Sequence, residues 1–340
     1  MIELLKQLCA LRGISGREEQ VRDFISAHAV QYADKMETDP MGNLMCFRKG
    51  EDSSKTLMVC AHMDEVGLIV TGITEDGYLK FDFVGGIDRR VIIGKRVWVG
   101  DKAVPGIIGM KAFHLVTEAD RKKVPEVSAL YIDIGCDSRE EAEELVALGD
   151  PATFDADVAE VGHLLKAKAI DDRLGCAVIM KLMESKPPVD TWFVFTTQEE
   201  VGTRGVATAA FRIRPDAGLI VEGTTAADLP GVPEHKTICK PGNGAVMPFM
   251  DRSSIYSREL RQMVMKAADE RGIAHQTKQL IAGGTDAGTL QRSCCGVPVL
   301  GIAAALRNIH SPASVANVED CKRVYQLAEL FMTEYAKGEY

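Results

Sequence analysis

Apolar residues recur at helical spacing in the first turns of the chain, at Leu4, Leu5, Leu8 and Leu11, until Gly13 ends the pattern. Ser15 with Glu18 three residues on has the form of a capping box. It predicts a second helix with an apolar stripe on Val21, Phe24 and Ile25. The turn chemistry of Asp39-Pro40-Met41-Gly42-Asn43 leads into a hairpin-like pair of strands at 44–47 and 56–61. After Gly67 the texture changes. From 68 to 168 the pattern is one of short β-runs broken by Gly, Pro and Asp, at 68–73, 78–84, 96–99 and 104–108. Glu75-Asp76-Gly77 reads as a hairpin turn, and one acidic helix is expected at 138–147. A small barrel or sandwich is expected here, inserted into a parent domain.

Longer periods return after Leu165. Helices are expected at 169–183, 257–270 and 318–335, alternating with buried strands at 191–197, 217–221, 276–281 and 297–306. Alternation of this kind predicts an α/β parent domain. The loop Ala282-Gly283-Gly284-Thr285-Asp286-Ala287-Gly288 reads either as a tight turn with a helix cap or as backbone meant to approach a ligand closely.

Composition narrows the function. At 46% hydrophobic and 26% charged, the 340 residues match an ordinary soluble domain pair. A net charge of -9 argues against nucleic acid and anionic membrane as partners. The longest near-apolar run, 297–306, is too short to span a bilayer. No signal peptide is expected from the first residues. Nine cysteines without a CxxC pair favour reduced thiols and a cytoplasmic location, with Cys60 and Cys176 as small core residues.

The candidate chemistry sits at strand ends and helix starts. His62 closes one strand, and Asp64 two residues on has the spacing to orient its imidazole. Asp171 and Asp172 open a helix, where capping is the competing role. Glu199 and Glu200 follow a buried strand, where a solvated acidic turn is the competing reading. Glu222 and His310 close two more strands. In open α/β sheets ligands gather at such carboxyl ends. Two imidazoles and three carboxylates, His62, Asp171, Glu200, Glu222 and His310, suit Zn²⁺ or Co²⁺, with Mn²⁺ a further candidate. Two ions about 3.5–4 Å apart would use all five, leaving Glu199 free as a general base. By contrast, Gly106-Ile107-Ile108-Gly109-Met110-Lys111 and His114 read as a glycine-rich turn with solvated side chains.

Seven pieces in order along nearly the whole chain resemble the M42 family of metallo-aminopeptidases, of the glutamyl or tetrahedral aminopeptidase type. They are Gly13-Ile14-Ser15-Gly16, Ala61-His62-Met63-Asp64-Glu65-Val66-Gly67, Ala169-Ile170-Asp171-Asp172-Arg173, Gln198-Glu199-Glu200-Val201-Gly202, Val221-Glu222-Gly223, Gly284-Thr285-Asp286 and His310-Ser311-Pro312. The resemblance implies a co-catalytic zinc-exopeptidase fold: an α/β mixed sheet flanked by helices at 1–67 and 164–340, with a β-rich, PDZ-like dimerisation barrel at 68–163. It implies that Asp171 bridges two divalent metal ions, with His62 and Glu222 at one and Glu200 and His310 at the other. Glu199 would activate a metal-bridging water, and Asp64 would support His62. The implied substrates are short peptides with a free N-terminus, cleaved inside dimers that assemble into a hollow dodecamer. Two positions depart from the usual pattern: Glu222 stands where many members have Asp, and Asn308 where an aromatic is common. A metal-dependent deacylase or carboxypeptidase on the same scaffold is the alternative reading.

Overall fold

The computed structural model describes residues 1–338. The chain opens with helices Ile2–Ala10 and Glu19–Ala29 and then lays down β1 (Lys35–Thr38), β2 (Leu44–Arg48) and β3 (Asp52–His62). It next builds a closed six-stranded antiparallel barrel from β4 (Gly67–Ile73), β5 (Leu79–Val84), β6 (Arg96–Val99), β7 (Val104–Gly109), β8 (Tyr131–Asp133) and β9 (Pro151–Phe154). It returns with β10 (Ala159–Val161), β11 (Leu164–Ala167), β12 (Val189–Thr196), β13 (Ala217–Thr225), β14 (Ala245–Met247), β15 (His275–Thr277), β16 (Val299–Arg307) and β17 (Ser314–Asn317). Among the described residues these strands form one mixed sheet in the order β1-β2-β12-β3-β13-β16-β17-β11-β10, with β14 and β15 attached at β16. Strands β12, β3, β13 and β16 run parallel at its centre.

Both faces of that centre are covered, so its strands are apolar on both sides. Leu57, Val59 and Ala61 of β3 pack with Leu8, Val21, Leu174, Val178 and Phe331 from helices on one face. The alternate residues Met58 and Cys60 pack with Val206, Ala209 and Leu290 from helices Arg204–Ile213 and Asp286–Gln291 on the other. The barrel has its own core around Leu68, Val70, Phe81, Val97, Ile132 and Phe154. By Ala159 the chain has rejoined the large sheet, since β10 pairs with β11. No helix among the described residues is long and apolar enough to cross a membrane.

Three local expectations are corrected. β2 and β3 are not a hairpin: β12 lies between them, antiparallel to β2 and parallel to β3. Their link crosses the start of β12 at Gly50, whose amide donates to the Asp190 carboxylate at 2.8 Å, and a side chain there would collide with the Val189 and Asp190 backbone. The capping box is absent as well. Helix Glu19–Ala29 begins after Glu18 and has no side-chain cap. Ser15 and Glu18 turn instead toward the site described below. The strand expected at 276–281 is only the short β15, because the chain leaves the sheet after Thr277, and Lys278 and residues 282–285 line the central cleft.

Candidate metal centre

The carboxyl ends of the parallel strands converge on an open cleft of about 460 Å³. His62 is the last residue of β3, and Glu200 lies four residues past the end of β12. Glu222 stands inside β13, three residues before its end, rather than at a strand terminus. Asp171 belongs to the first turn of helix Ile170–Leu182, yet neither it nor Asp172 has helical dihedrals, and the peptide between them is cis. Asp172 takes the capping role, its Oδ1 accepting from Gly175 N at 2.8 Å, which leaves Asp171 to the cleft. The Asp171 carboxylate accepts from the Gly223 amide at 3.3 Å. A Cβ at Gly223 would lie 3.0 Å from Asp171 Oδ1 and 2.5 Å from Leu306 Cδ1, so a side chain there would push on both.

Two groups of donors result, and they share a member. One oxygen or ring nitrogen each from His62, Asp171 and Glu222 lies within 4.8 Å of the others, and the same holds for Asp171, Glu200 and His310. The longer Glu222 therefore still reaches the position where an Asp is more usual. Both imidazoles are oriented alike. His62 Nδ1 faces the Asp64 carbonyl at 3.0 Å, leaving Nε2 3.5 Å from Asp171 Oδ1. His310 Nδ1 faces the Gly86 carbonyl at 2.9 Å, leaving Nε2 3.5 Å from Asp171 Oδ2 and 3.2 Å from Glu200 Oε2. A carbonyl can only accept, so each Nδ1 carries the proton and each Nε2 presents its lone pair to carboxylate oxygens. Such an arrangement is repulsive unless a cation or a proton lies between them.

The electrostatics state the same deficit. Burial pushes the Glu222 and Glu199 carboxyls well above their ordinary range, and neighbouring carboxylates add to the effect. Burial also raises Glu200. Burial would raise Asp171 too, but hydrogen bonds to His310 and His62 outweigh it and hold Asp171 low. For His310, burial lowers the pKa, yet Asp171 and Glu200 carry it up to about 11. The site thus gathers more carboxylate charge than its two imidazoles balance, a deficit that another cation would supply. Hard and borderline donors, shared oxygens and two outward lone pairs fit a pair of divalent ions.

Asp64 faces His62, as expected, and does more besides. The closer partner of His62 Nδ1 is the Asp64 carbonyl; the carboxylate Oδ1 is 3.4 Å away. The carboxylate is fully buried and binds the main chain of the Glu pair, accepting from Glu199 N at 3.0 Å and Glu200 N at 3.1 Å. Ser15 Oγ donates to it at 2.6 Å. Glu18 completes the support, its Oε1 accepting from Gly16 N at 2.7 Å and Gln198 N at 3.1 Å. Gln198, Asn308 and His310 have φ of 55°, 54° and 55°. Non-glycine residues rarely hold this region unless their surroundings impose it. Here the Asn308 carbonyl is fixed by the hydroxyls of Ser311 and Ser314 at 2.6 and 3.0 Å.

Glu199 lines the cleft without belonging to either donor group. Gly283 and Gly284 line it too, whereas Asp286 is buried behind it, accepting from Thr196 Oγ1 at 2.6 Å. His114 and Lys111 are exposed on the barrel, outside the cleft. Sequence reasoning missed Gly86, Lys278 and the Ser15–Glu18 support. A carbonyl acceptor leaves no trace in residue type, and the support had the spacing of a helix cap.

The sequence signature described as M42 glutamyl aminopeptidase matches residues 42–327. The chain belongs to the M42 peptidase family. Solved structures agree over the whole fold. An aminopeptidase of the archaeon Desulfurococcus kamchatkensis is 36% identical, with a TM-score of 0.93 over 97% of this chain and 94% of that one. A TET aminopeptidase from a marine-sediment Thaumarchaeota archaeon is 34% identical, with a TM-score of 0.94 over 99% and 98%. A TET peptidase of Pyrococcus horikoshii is 34% identical, with a TM-score of 0.86 over 97% and 98%; that protein can assemble into a tetrahedron or a large octahedral shell.

Proposed function

We propose that this M42 chain is a dinuclear-metal aminopeptidase that removes the N-terminal residue from short peptides. One observation carries the reading: two imidazoles with Nδ1 tied to carbonyls turn their Nε2 lone pairs toward one shared carboxylate, Asp171. His62, Asp171 and Glu222 would hold one ion, and Asp171, Glu200 and His310 the other, with Zn²⁺ favoured and Co²⁺ second. When bound, the ions would polarise the scissile carbonyl and lower the pKa of the attacking water. Glu199 takes that water's proton and returns it to the leaving amine. Its burial, which favours the protonated form, suits a group that must give the proton back. Asp64 is a positioning residue: it fixes the backbone that carries Glu199 and Glu200. We further propose that the barrel at 68–163 is a dimerisation domain, that dimers build a closed TET-like shell, and that the enzyme works in the cytoplasm. The nine cysteines support that location, all of them free thiols.

The test is hydrolysis of a panel of aminoacyl-p-nitroanilides before and after chelation, with Zn²⁺ or Co²⁺ add-back and with Glu199→Gln alongside. Chelator-sensitive release restored by metal, and a Glu199→Gln variant at least about 10²-fold slower, are expected. N-acylated substrates cleaved in preference to those with free amines would move the assignment to a deacylase.

A further inference from the structure

Two of the nine thiols stand apart from the rest. Cys294 and Cys295 are adjacent and both exposed, whereas Cys9, Cys46, Cys60, Cys176, Cys239 and Cys321 are buried and Cys136 is half-buried. Burial pushes the six buried thiols up in pKa, so they stay protonated as well as shielded from solutes. The adjacent pair occupies the centre of a turn that Gly296 N closes by donating to the Ser293 carbonyl at 2.9 Å. The Cys294 thiol donates to the Ala210 carbonyl at 3.3 Å, near the end of helix Arg204–Ile213. That carbonyl also accepts from Arg214 N at 2.8 Å, so it keeps a donor when the thiol leaves.

A short path joins this turn to the cleft. Ser293 N donates to the Leu290 carbonyl at 3.0 Å and Ser293 Oγ to the Thr289 carbonyl at 2.8 Å, which fixes the turn to the end of helix Asp286–Gln291. That helix has 6 residues and spans about 9 Å. Thr285 at its N-cap lines the cleft. Thr289 within it shares a hydrogen bond of 2.6 Å with Thr203, which lines the cleft as well. Movement of the thiol turn therefore reaches the cleft wall at two places.

We propose that Cys294 and Cys295 form a reversible redox site, at which a peroxide closes a disulfide between the neighbours and slows turnover in the cleft. One sulfur attacks the O–O bond of hydrogen peroxide and becomes a sulfenic acid, its proton leaving with the displaced hydroxide as water. The neighbouring thiol then displaces the sulfenic hydroxyl as a second water and the S–S bond forms. Two thiols and one hydrogen peroxide thus give one disulfide and two waters, sulfur being oxidised and peroxide oxygen reduced. Adjacent Cα atoms lie about 3.8 Å apart, below the usual disulfide span of about 4.4–6.8 Å. The ring is therefore strained, and strained, exposed disulfides are the ones readily reduced again. Closure consumes the Cys294 thiol proton, so the bond to Ala210 is lost and the turn is released from helix Arg204–Ile213.

In the experiment, metal-loaded wild type and the double variant Cys294→Ser, Cys295→Ser are treated with hydrogen peroxide and then with a phosphine reductant. The tryptic peptide 293–307 holds both thiols and no other cysteine. In the wild type it should lose two hydrogens by mass spectrometry and regain them on reduction. Hydrolysis of the best aminoacyl-p-nitroanilide should slow about fivefold in the oxidised wild type, recover on reduction and stay unchanged in the variant. Amide hydrogen exchange over 285–291 should quicken on oxidation, a readout that needs no substrate and stands even if the aminopeptidase reading fails. A peptide that gains oxygen or links two chains, in place of losing two hydrogens, overturns the redox pair. A disulfide that forms with rate and exchange unchanged overturns its hold on the cleft, and equal inactivation of the variant places the effect at other groups.

Discussion

Replacing Asp64 by Asn changes one atom and should disable the turn that carries both glutamates. The carboxylate accepts four contacts in a fully buried place. Oδ1 takes Glu199 N at 3.0 Å and faces His62 Nδ1 at 3.4 Å; Oδ2 takes Ser15 Oγ at 2.6 Å and Glu200 N at 3.1 Å. An amide can accept through only one of those two positions. Ser15 can rotate its hydroxyl, but a main-chain N–H cannot, so either Glu199 or Glu200 meets a donor. An orphaned buried N–H costs about 1–3 kcal/mol, and each surviving bond loses the strength that charge gave it, for a total of roughly 2–5 kcal/mol. The functional loss should be larger in proportion. Displacement of a reacting group by about 1 Å costs on the order of 10²-fold, and here the proposed base and a proposed ligand move together. Denaturant titration, steady-state kinetics and metal content by mass spectrometry measure the three consequences. The expected result is a lower midpoint and kcat reduced about 10²-fold, with KM changed less. Wild-type stability together with kcat within threefold would show that the Glu199–Glu200 turn holds itself and that Asp64 is not its anchor.

Three further substitutions test other parts of the site. Gly223→Ala puts a methyl 2.5 Å from Leu306 Cδ1 and 3.0 Å from Asp171 Oδ1, so metal affinity should fall at least about tenfold by competition with a chromophoric chelator, at a stability cost of about 1–3 kcal/mol. Glu18 is lifted by burial, with Asp64 adding to it, from 4.5 to about 7. A raised carboxyl stabilises the fold below pH 4.5, and that contribution is lost as pH rises through about 7; the full span is roughly 3 kcal/mol. Glu18→Gln keeps an acceptor for Gly16 and Gln198 but cannot ionise, so unfolding midpoints of wild type and variant should diverge between pH 5 and 8, the variant holding up better at the alkaline end. Glu65 is buried with Lys168 at 2.6 Å and Arg173 at 3.5 Å. Glu65→Gln leaves two buried cations without a counter-charge and should cost about 3–5 kcal/mol by chemical denaturation; a loss under 1 kcal/mol would mean that water reaches them.

Much of the fold could be read because both periods are strong. Runs such as 192–195 and 297–306 are apolar without alternation, as a strand buried on both faces tends to be, and the β-texture read at 68–168 stands apart, although β10 and β11 at its end belong to the large sheet. The five side chains that converge in the cleft could be named because donor types stand out near strand ends and helix starts. What escaped was non-local. Gly50 does not announce that β12, some 140 positions later, will insert beside it. Ser15 and Glu18 have the spacing of a helix cap and the function of a brace, because hydrogen bonds to Asp64 and Gln198 outcompete the local turn. Asp171 and Asp172 both look like helix-capping residues because the helix does begin there; Asp172 does cap it, accepting from Gly175 N, while the Asp171 carboxylate faces the two imidazoles.

The Gly86 carbonyl that orients His310 comes from the segment just after β5, on the barrel side of the chain. An inserted domain is usually pictured as a module that could be cut out and its ends rejoined. Here excision would remove the acceptor that fixes one imidazole tautomer, along with Phe154, which helps wall the space beside Asp171 and His310. The barrel and the catalytic sheet are therefore not interchangeable parts. A trimmed, barrel-free version should fold around its intact central strands yet present His310 without a fixed orientation. A replacement insertion would need an acceptor at the same place to keep His310 oriented.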